Sequence, residues 1–466
     1  VAALVACLAI GGGVALSVSA ATHTGPDVGT PPRLVVGTVS SFVVPSLSRG
    51  EPSCPSSDGS SITCYSPAFI QQAYDYPTNR NAPTGAGQTI LVVEPYGSPT
   101  ISADLQAFDS AFGIAPATLT IVGPNGTGDP TDPDVIGWGV ETSLDVEWAH
   151  AIAPGAKIVL AVAPTDDPGD IVATETSVLP QYPGAIVSQS FGVDENDPDP
   201  DSQAFISGLH ALYQTLPSSD TLIASAGDEG ATDATDSIVA AYPASDPLVL
   251  GVGGTQGKPY PGGLWRRGGY GNEATWNESR QGTYYAAGGG APSILFTAPS
   301  WQRGSNRNAP RTVPDVSYNA AIDGGVIVFD GPNVFTVGGT SAGPPQWAGI
   351  VALADELRAR GGAAPLGLGA AAALYAIASS DRQYSNDFHD ITDGNNILVD
   401  QSLGFRANRG YDLATGLGTP DIANLISDLA RGSWQRPGRD DDDFSGNHPG
   451  SFGNPRARGA HIHPAG

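Results

Sequence analysis

The sequence predicts an α/β fold: a largely parallel sheet flanked by helices, in a single large domain. Two features point there. Several short runs are apolar without interruption, which is the pattern of strands buried on both faces, and longer helical stretches alternate with them. In chain order the expected strands are residues 89–94 (TILVVE), 157–163 (KIVLAVA), 185–191 (AIVSQSF), 221–226 (TLIASA), 248–254 (LVLGVGG) and 326–329 (VIVF). Helices are expected at 135–151, 202–216, 346–358 and 370–379.

The domain is expected to span 65–432. Before it, residues 1–21, which open on the apolar run VAALVACLAIGGGVALSVSA, read as a signal peptide or membrane anchor, which makes the protein secreted or extracellular. Residues 22–64, rich in Pro, Ser and Gly, read as a linker or short propeptide. Outside the cytoplasm, Cys54 and Cys64 in CPSSDGSSITC are expected to close a small disulfide loop. The tail 433–466 has almost no apolar content and reads as disordered, and its His448, His461 and His463 would hold metal only weakly.

Composition narrows the function. The chain has 466 residues, with 47 acidic against 21 basic side chains and a formal net charge of -26, which argues against nucleic acid as a partner. A surface this acidic repels itself at neutral pH and relaxes as carboxylates protonate, which suits acid conditions; acidic composition also simply favours solubility. No phosphate-binding loop is present, since Lys258 precedes Pro259 where such a loop needs Ser or Thr.

Chemistry centres on VGGTSAGPPQWAG (337–349). Ser341 lies just before a helix that begins near Pro344 or Pro345, where proline is tolerated. Free N–H groups and the positive end of the helix dipole are then close by, a suitable place for an oxyanion. Alone, the same residues would also suit an ordinary Gly-rich turn. A base decides between these readings. Of seven histidines only His150, His210 and His389 fall in the domain, and none has the Gly-flanked setting of a subtilisin-type base.

Carboxylates offer the alternative. In ETSLDVEWAHAIAPG, Glu141 and Asp145 are one helical turn apart on one face, while Glu147 lies on another. Two acids so placed raise each other's proton affinity or share a proton, and so can hold a glutamate ready to accept a proton from serine in acid. A solvated acidic helix face would show the same spacing. Asp228, in IASAGDEGAT, follows an apolar strand at the carboxyl edge of the sheet; buried there, it could stay protonated and donate to an oxyanion.

Taken in order, ETSLDVEWAHAIAPGA, VSQSFG, SAGDEGA, YPASDPLVLGVGGT, RTVPDVSYNA, GGTSAGPPQWAG and HDIT with GYDLATGLGTP resemble the sedolisin family of serine-carboxyl peptidases. The resemblance implies a subtilisin-like fold and a peptidase, endopeptidase or tripeptidyl-peptidase, acting on polypeptide substrate as a monomer. It makes Ser341 the nucleophile, Glu141 the general base, Asp145 its supporting acid and Asp228 the protonated oxyanion donor beside the Ser341 N–H. It adds Glu94 as an outer acid of the same network, with Phe191 standing where several relatives carry Trp. It further implies one Ca²⁺ site, with carboxylates from Asp390 and Asp412 and backbone carbonyls from Ile391, Asn408 and Gly410, an oxygen-only set suited to a hard cation.

A wall for extended substrate is expected at Ser188, Ser190 and Gly192, since peptide recognition often adds a strand. Family members also carry a large N-terminal prodomain, so a prodomain supplied separately is an expected partner. Three other readings compete: a histidine-based peptidase active at neutral or alkaline pH, a catalytically silent, calcium-stabilised surface protein that keeps the fold, and a zymogen-like form that depends on a prodomain.

Overall fold

The computed structural model describes residues 33–40, 42, 53–55, 61–123, 131–258, 270–281, 284–302 and 306–432. The segments read as signal or anchor (1–21) and as tail (433–466) lie outside the described residues. No helix among the described residues is long and apolar enough to cross a membrane.

An eight-stranded sheet forms the centre. Its strands are β1 (Thr89–Pro95), β2 (Thr118–Val122), β3 (Lys157–Ala163), β4 (Ile186–Gln189), β5 (Thr221–Ser225), β6 (Val249–Lys258), β7 (Asn272–Thr275) and β8 (Val316–Asn319). They run in the order β7-β6-β5-β4-β1-β3-β2, with β8 also beside β6. Every pairing is parallel except β6 with β7.

Strand side chains alternate between faces, and both faces of this sheet are covered. Ile90 and Val92 enter one core with Ile158, Leu160 and Ile223, under helices α1 (Pro133–Ile152) and α4 (Gly343–Arg360). Leu91 and Val93 enter the other with Val159, Ala161 and Leu222, under α2 (Pro168–Val178) and α3 (Pro200–Tyr213). Each such buried side chain contributes about 1.5–3 kcal/mol, which is why the strands read as unbroken apolar runs.

Helix α1 starts where Asp132 accepts the Asp134 N–H at 3.0 Å, with Pro133 in the first turn. It is buried all round because a second sheet covers its far side. That sheet has the order Arg33–Thr38, β10 (Asn333–Val337), β9 (Gly325–Asp330), Ser61–Tyr65, Ser53–Pro55. Trp148 on α1 donates to the Ile327 carbonyl at 2.9 Å, and the Phe329 N–H donates to Glu147 at 3.0 Å.

Two expectations change here. The 326–329 run is a strand of this second sheet, not of the central one; it is apolar because it packs between α1 and its neighbours. The 22–64 stretch is not only a linker: Arg33–Thr38 pairs antiparallel with β10, and Ser53–Pro55 with Ser61–Tyr65. Cys54 and Cys64 are disulfide-bonded, with Cα atoms 5.8 Å apart, as the sequence suggested. The helices Ile101–Phe112 and Ile422–Arg431, and the edge strand β2, were not anticipated.

Candidate active site

The carboxyl ends of β1, β4 and β5 meet the start of α4, and the functional side chains gather there. β10 delivers the chain to Ser341 through Gly338 and Gly339. A Cβ on Gly338 would lie 2.7 Å from the Ala321 carbonyl oxygen, and Gly339 has φ of 109°, so only glycine fits the tight approach. Ser341 then sits on the turn Thr340–Ala342, immediately before α4. Its side chain makes no hydrogen bond among the described residues, and its N–H makes no backbone hydrogen bond there.

Behind the serine lies a sealed group of acids. Glu94 continues the alternation of Ile90 and Val92, so it points to the α1 side of the sheet. Glu141 and Asp145 come from the adjoining face of α1, which packs against the Ser341 turn. Glu94, Glu141 and Asp145 are each 0% exposed, and one carboxylate oxygen from each lies within 4.8 Å of the other two. Ser190 donates at 2.8 Å to Asp145 Oδ2 and lies 3.2 Å from the Ser341 carbonyl, so it ties the acids to the Ser341 backbone.

Burial is the main influence on the proton affinities of Glu94 and Asp145. It lifts Glu94 well above the ordinary carboxyl range, and the charges of Asp145 and Glu141 lift it further. Asp145 is also raised by burial, against the opposing hydrogen bonds of Ser190, Glu94 and Ser188. Glu94 and Asp145 therefore retain protons in acid. Glu147 faces the second sheet instead, as its helical position suggested.

Asp228 stands on the other side of Ser341. Its Oδ1 accepts from the Thr340 N–H and hydroxyl, each at 2.7 Å, which leaves Oδ2 as the oxygen to carry a proton. Burial pushes this carboxyl up to about 6, with the Thr340 hydrogen bonds opposing. Thr340 and Ser190 are thus two positioning residues whose roles the sequence left unread. Thr340 was in view, beside Ser341, but its partner lies far away in the chain.

A cleft of about 570 Å³ opens onto Ser341 and Asp228. Ser190 and Gly192, two of the residues named for a substrate wall, line it together with Phe191. Ser188 does not; it is fully buried with its hydroxyl 3.5 Å from Asp145, because it shares the inward face of β4 with Ile186. No histidine among the described residues lines the cleft. His150 Nε2 lies 2.8 Å from the Ala115 carbonyl and 3.2 Å from Asp109, His210 Nδ1 lies 2.7 Å from Asp246, and His389 stacks on Tyr270, where burial lowers it to about 4.

The residues expected to bind calcium converge on the loop 408–412. Asp390 accepts the Gly410 N–H at 3.0 Å, and Asp412 accepts the Asn408 N–H at 2.7 Å. The carbonyl oxygens of Ile391, Asn408 and Gly410 accept no hydrogen bond among the described residues, so an all-oxygen donor set fits a hard cation here. The tightest acidic cluster lies elsewhere, at Glu94, Glu141 and Asp145, and its spacing could also admit a metal. There, however, Ser190 and Ser188 already direct hydroxyls at Asp145.

No family model matches the chain. Among curated proteins it is 33% identical over 390 residues to kumamolisin from Bacillus sp. (strain MN-32), covering 80% of this chain and 65% of that one. It is 29% identical over 377 residues to sedolisin from Pseudomonas sp. (strain 101), covering 78% and 60%, and 26% identical over 357 residues to human tripeptidyl-peptidase 1, covering 70% and 56%. The chain thus spans less than two thirds of the length of these relatives. Among solved structures, Pseudomonas sedolisin, a serine-carboxyl proteinase complexed with two molecules of pseudo-iodotyrostatin, superposes with a TM-score of 0.66 at 25% identity, over 79% of this chain and 99% of that one. Its subtilisin-like α/β architecture is shared here, and the chain belongs to the sedolisin family.

Proposed function

We propose that this protein hydrolyses peptide bonds in acid through an acyl-enzyme on Ser341. Ser341 Oγ attacks the carbonyl carbon, Glu141 accepts its proton, and Asp145 holds Glu141 in place. A protonated Asp228 Oδ2 and the Ser341 N–H donate to the tetrahedral oxyanion. Glu141 then returns the proton to the leaving amine, and water repeats the sequence to release the acid. The observation that carries this reading is the sealed acid trio, connected to the Ser341 backbone by Ser190, behind a cleft that no histidine among the described residues lines.

The pH dependence follows from the two kinds of acid. Asp228 must carry its proton, so activity falls as pH rises through about 6. Glu141 must be able to accept one, so activity also falls at strongly acid pH. Calcium, held by Asp390, Asp412 and the carbonyls of Ile391, Asn408 and Gly410, would supply no chemistry to the reaction; it would brace the C-terminal loop. The disulfide Cys54–Cys64 supports an oxidising, extracellular setting. Purified protein should cleave a peptide library at pH about 3 to 5. Equal cleavage by Ser341→Ala would overturn the proposal, as would absence of any Ser341-directed acylation.

A further inference from the structure

Among the described residues, the cleft that exposes Ser341 is lined by five carboxylates, Asp194, Asp197, Asp228, Glu229 and Asp233, and by no Lys, Arg or His. The distribution has a local origin. Strand Val193–Asp194 pairs antiparallel with Ala241–Tyr242, which puts Asp194 opposite Ala241 at the cleft wall. Asp233 follows the short turn Gly230–Thr232 in a left-handed conformation and brings its carboxyl within hydrogen-bonding reach of Asp194.

These acids are not equivalent. Asp197 is already satisfied: Oδ1 accepts the Asp199 N–H at 3.0 Å and Oδ2 accepts the Ser202 hydroxyl at 2.6 Å. Asp228 is held by Thr340 and assigned to the oxyanion. Asp194 Oδ1, by contrast, is buried and accepts no hydrogen bond from any described residue. Burial first, then the charges of Asp233, Asp197 and Glu229, raises its proton affinity. A buried acceptor without a donor, among like charges, is costly unless a cation or a proton relieves it. A separate feature shows that this space receives a ligand: the Ser341 hydroxyl, on a residue only 6% exposed, lines the same cleft and has no partner among the described residues.

We infer that Asp194 and Asp233 form a cation-reading subsite beside Ser341, selecting peptides that place an ammonium or guanidinium group in the cleft. The inference rests on the peptidase reading of the same cleft and adds its specificity. The cationic group has two sources, a Lys or Arg side chain or a free peptide N-terminus. Both offer N–H donors and positive charge to Asp194 Oδ1. Asp233 and Glu229, on the more exposed side of the cleft, add long-range attraction.

The test uses peptides carrying one Arg or its neutral isostere citrulline, scanned through successive positions, each with a free or acetylated N-terminus. In acetylated peptides one Arg position should raise kcat/KM at least tenfold over citrulline. If the N-terminus is the source, acetylation alone should cause that loss. The double variant Asp194→Asn with Asp233→Asn should bring these ratios within about threefold of unity, and the ratio is the readout because the charge of Asp233 also acts on Asp228. Binding of the same peptides to Ser341→Ala by calorimetry separates the two readings, because selectivity there needs no turnover. Tighter binding of the cationic peptide by Ser341→Ala, lost when the two Asn substitutions are added, supports the subsite even if no cleavage is found. Equal binding of cationic and neutral peptides, or selectivity kept in the double variant, overturns it.

Discussion

Two sets of acids in this chain meet very different surroundings. Asp412 is buried near the C-terminus, yet its carboxylate accepts the N–H groups of Asn408, Ala414 and Thr415 and lies 3.2 Å from the Thr415 hydroxyl. Such donors favour the charged form, and they oppose the burial that lifts Asp412 to about 6. Glu94, Glu141 and Asp145 are sealed between the sheet and α1, where Ser188 and Ser190 supply hydroxyls to Asp145. Donor-rich loops hold carboxylates ready for a cation; a donor-poor interior makes carboxyls share protons. In the proposed reading, the same residue type braces a loop in one place and transfers protons in the other.

The largest effect expected from this contrast is at the proton-transfer set. Glu141→Gln removes the base while keeping its volume, and kcat should fall about 10³–10⁴-fold in steady-state assays with the fold unchanged by circular dichroism. A drop of less than tenfold would assign the base elsewhere. Asp145→Asn should cost less, about 10–100-fold in kcat with KM nearly constant, because Asp145 acts through Glu141.

On the bracing side the readout is stability. Chelator, or Asp412→Asn, should lower Tm by a few degrees and leave the shape of the pH–rate profile unchanged in the fraction that stays folded. If chelator instead changed the profile, a metal would belong among Glu94, Glu141 and Asp145, the other place where ligand atoms converge.

A smaller, global effect has a defined sign. Glu175 on α2 is buried and raised to about 8, and Glu94, Asp145 and Glu147 are raised by burial as well. A raised carboxyl stabilises the fold fully below its unfolded value, near ~4, and that contribution is lost as pH rises through the folded value. Tm measured by calorimetry should therefore fall between pH about 4 and 8. A Tm that rises over that range would contradict the protonated interior.

Much of the site could be read from the chain because its parts are local. The four-residue spacing of Glu141 and Asp145 fixes their common helix face, and Gly338, Gly339 and Pro344 mark the turn that presents Ser341. Long-range contacts left no such mark. Ser188 and Ser190 differ only by two positions and both direct hydroxyls at Asp145, yet only Ser190 also lines the cleft, since β4 ends between them at Gln189. The strand Arg33–Thr38 was hidden in a Pro- and Ser-rich stretch because its order comes from pairing with β10, not from a periodic pattern of its own.

The most direct test of a carboxyl-based mechanism is the pH profile of kcat/KM for the wild type and Asp228→Asn. The wild type should peak in acid and lose activity as pH rises through about 6, while the amide, a donor at every pH, should be slower but lack that alkaline limb. A wild-type maximum at neutral or alkaline pH, with the same limb in both proteins, would contradict the assignment and return the base to a histidine.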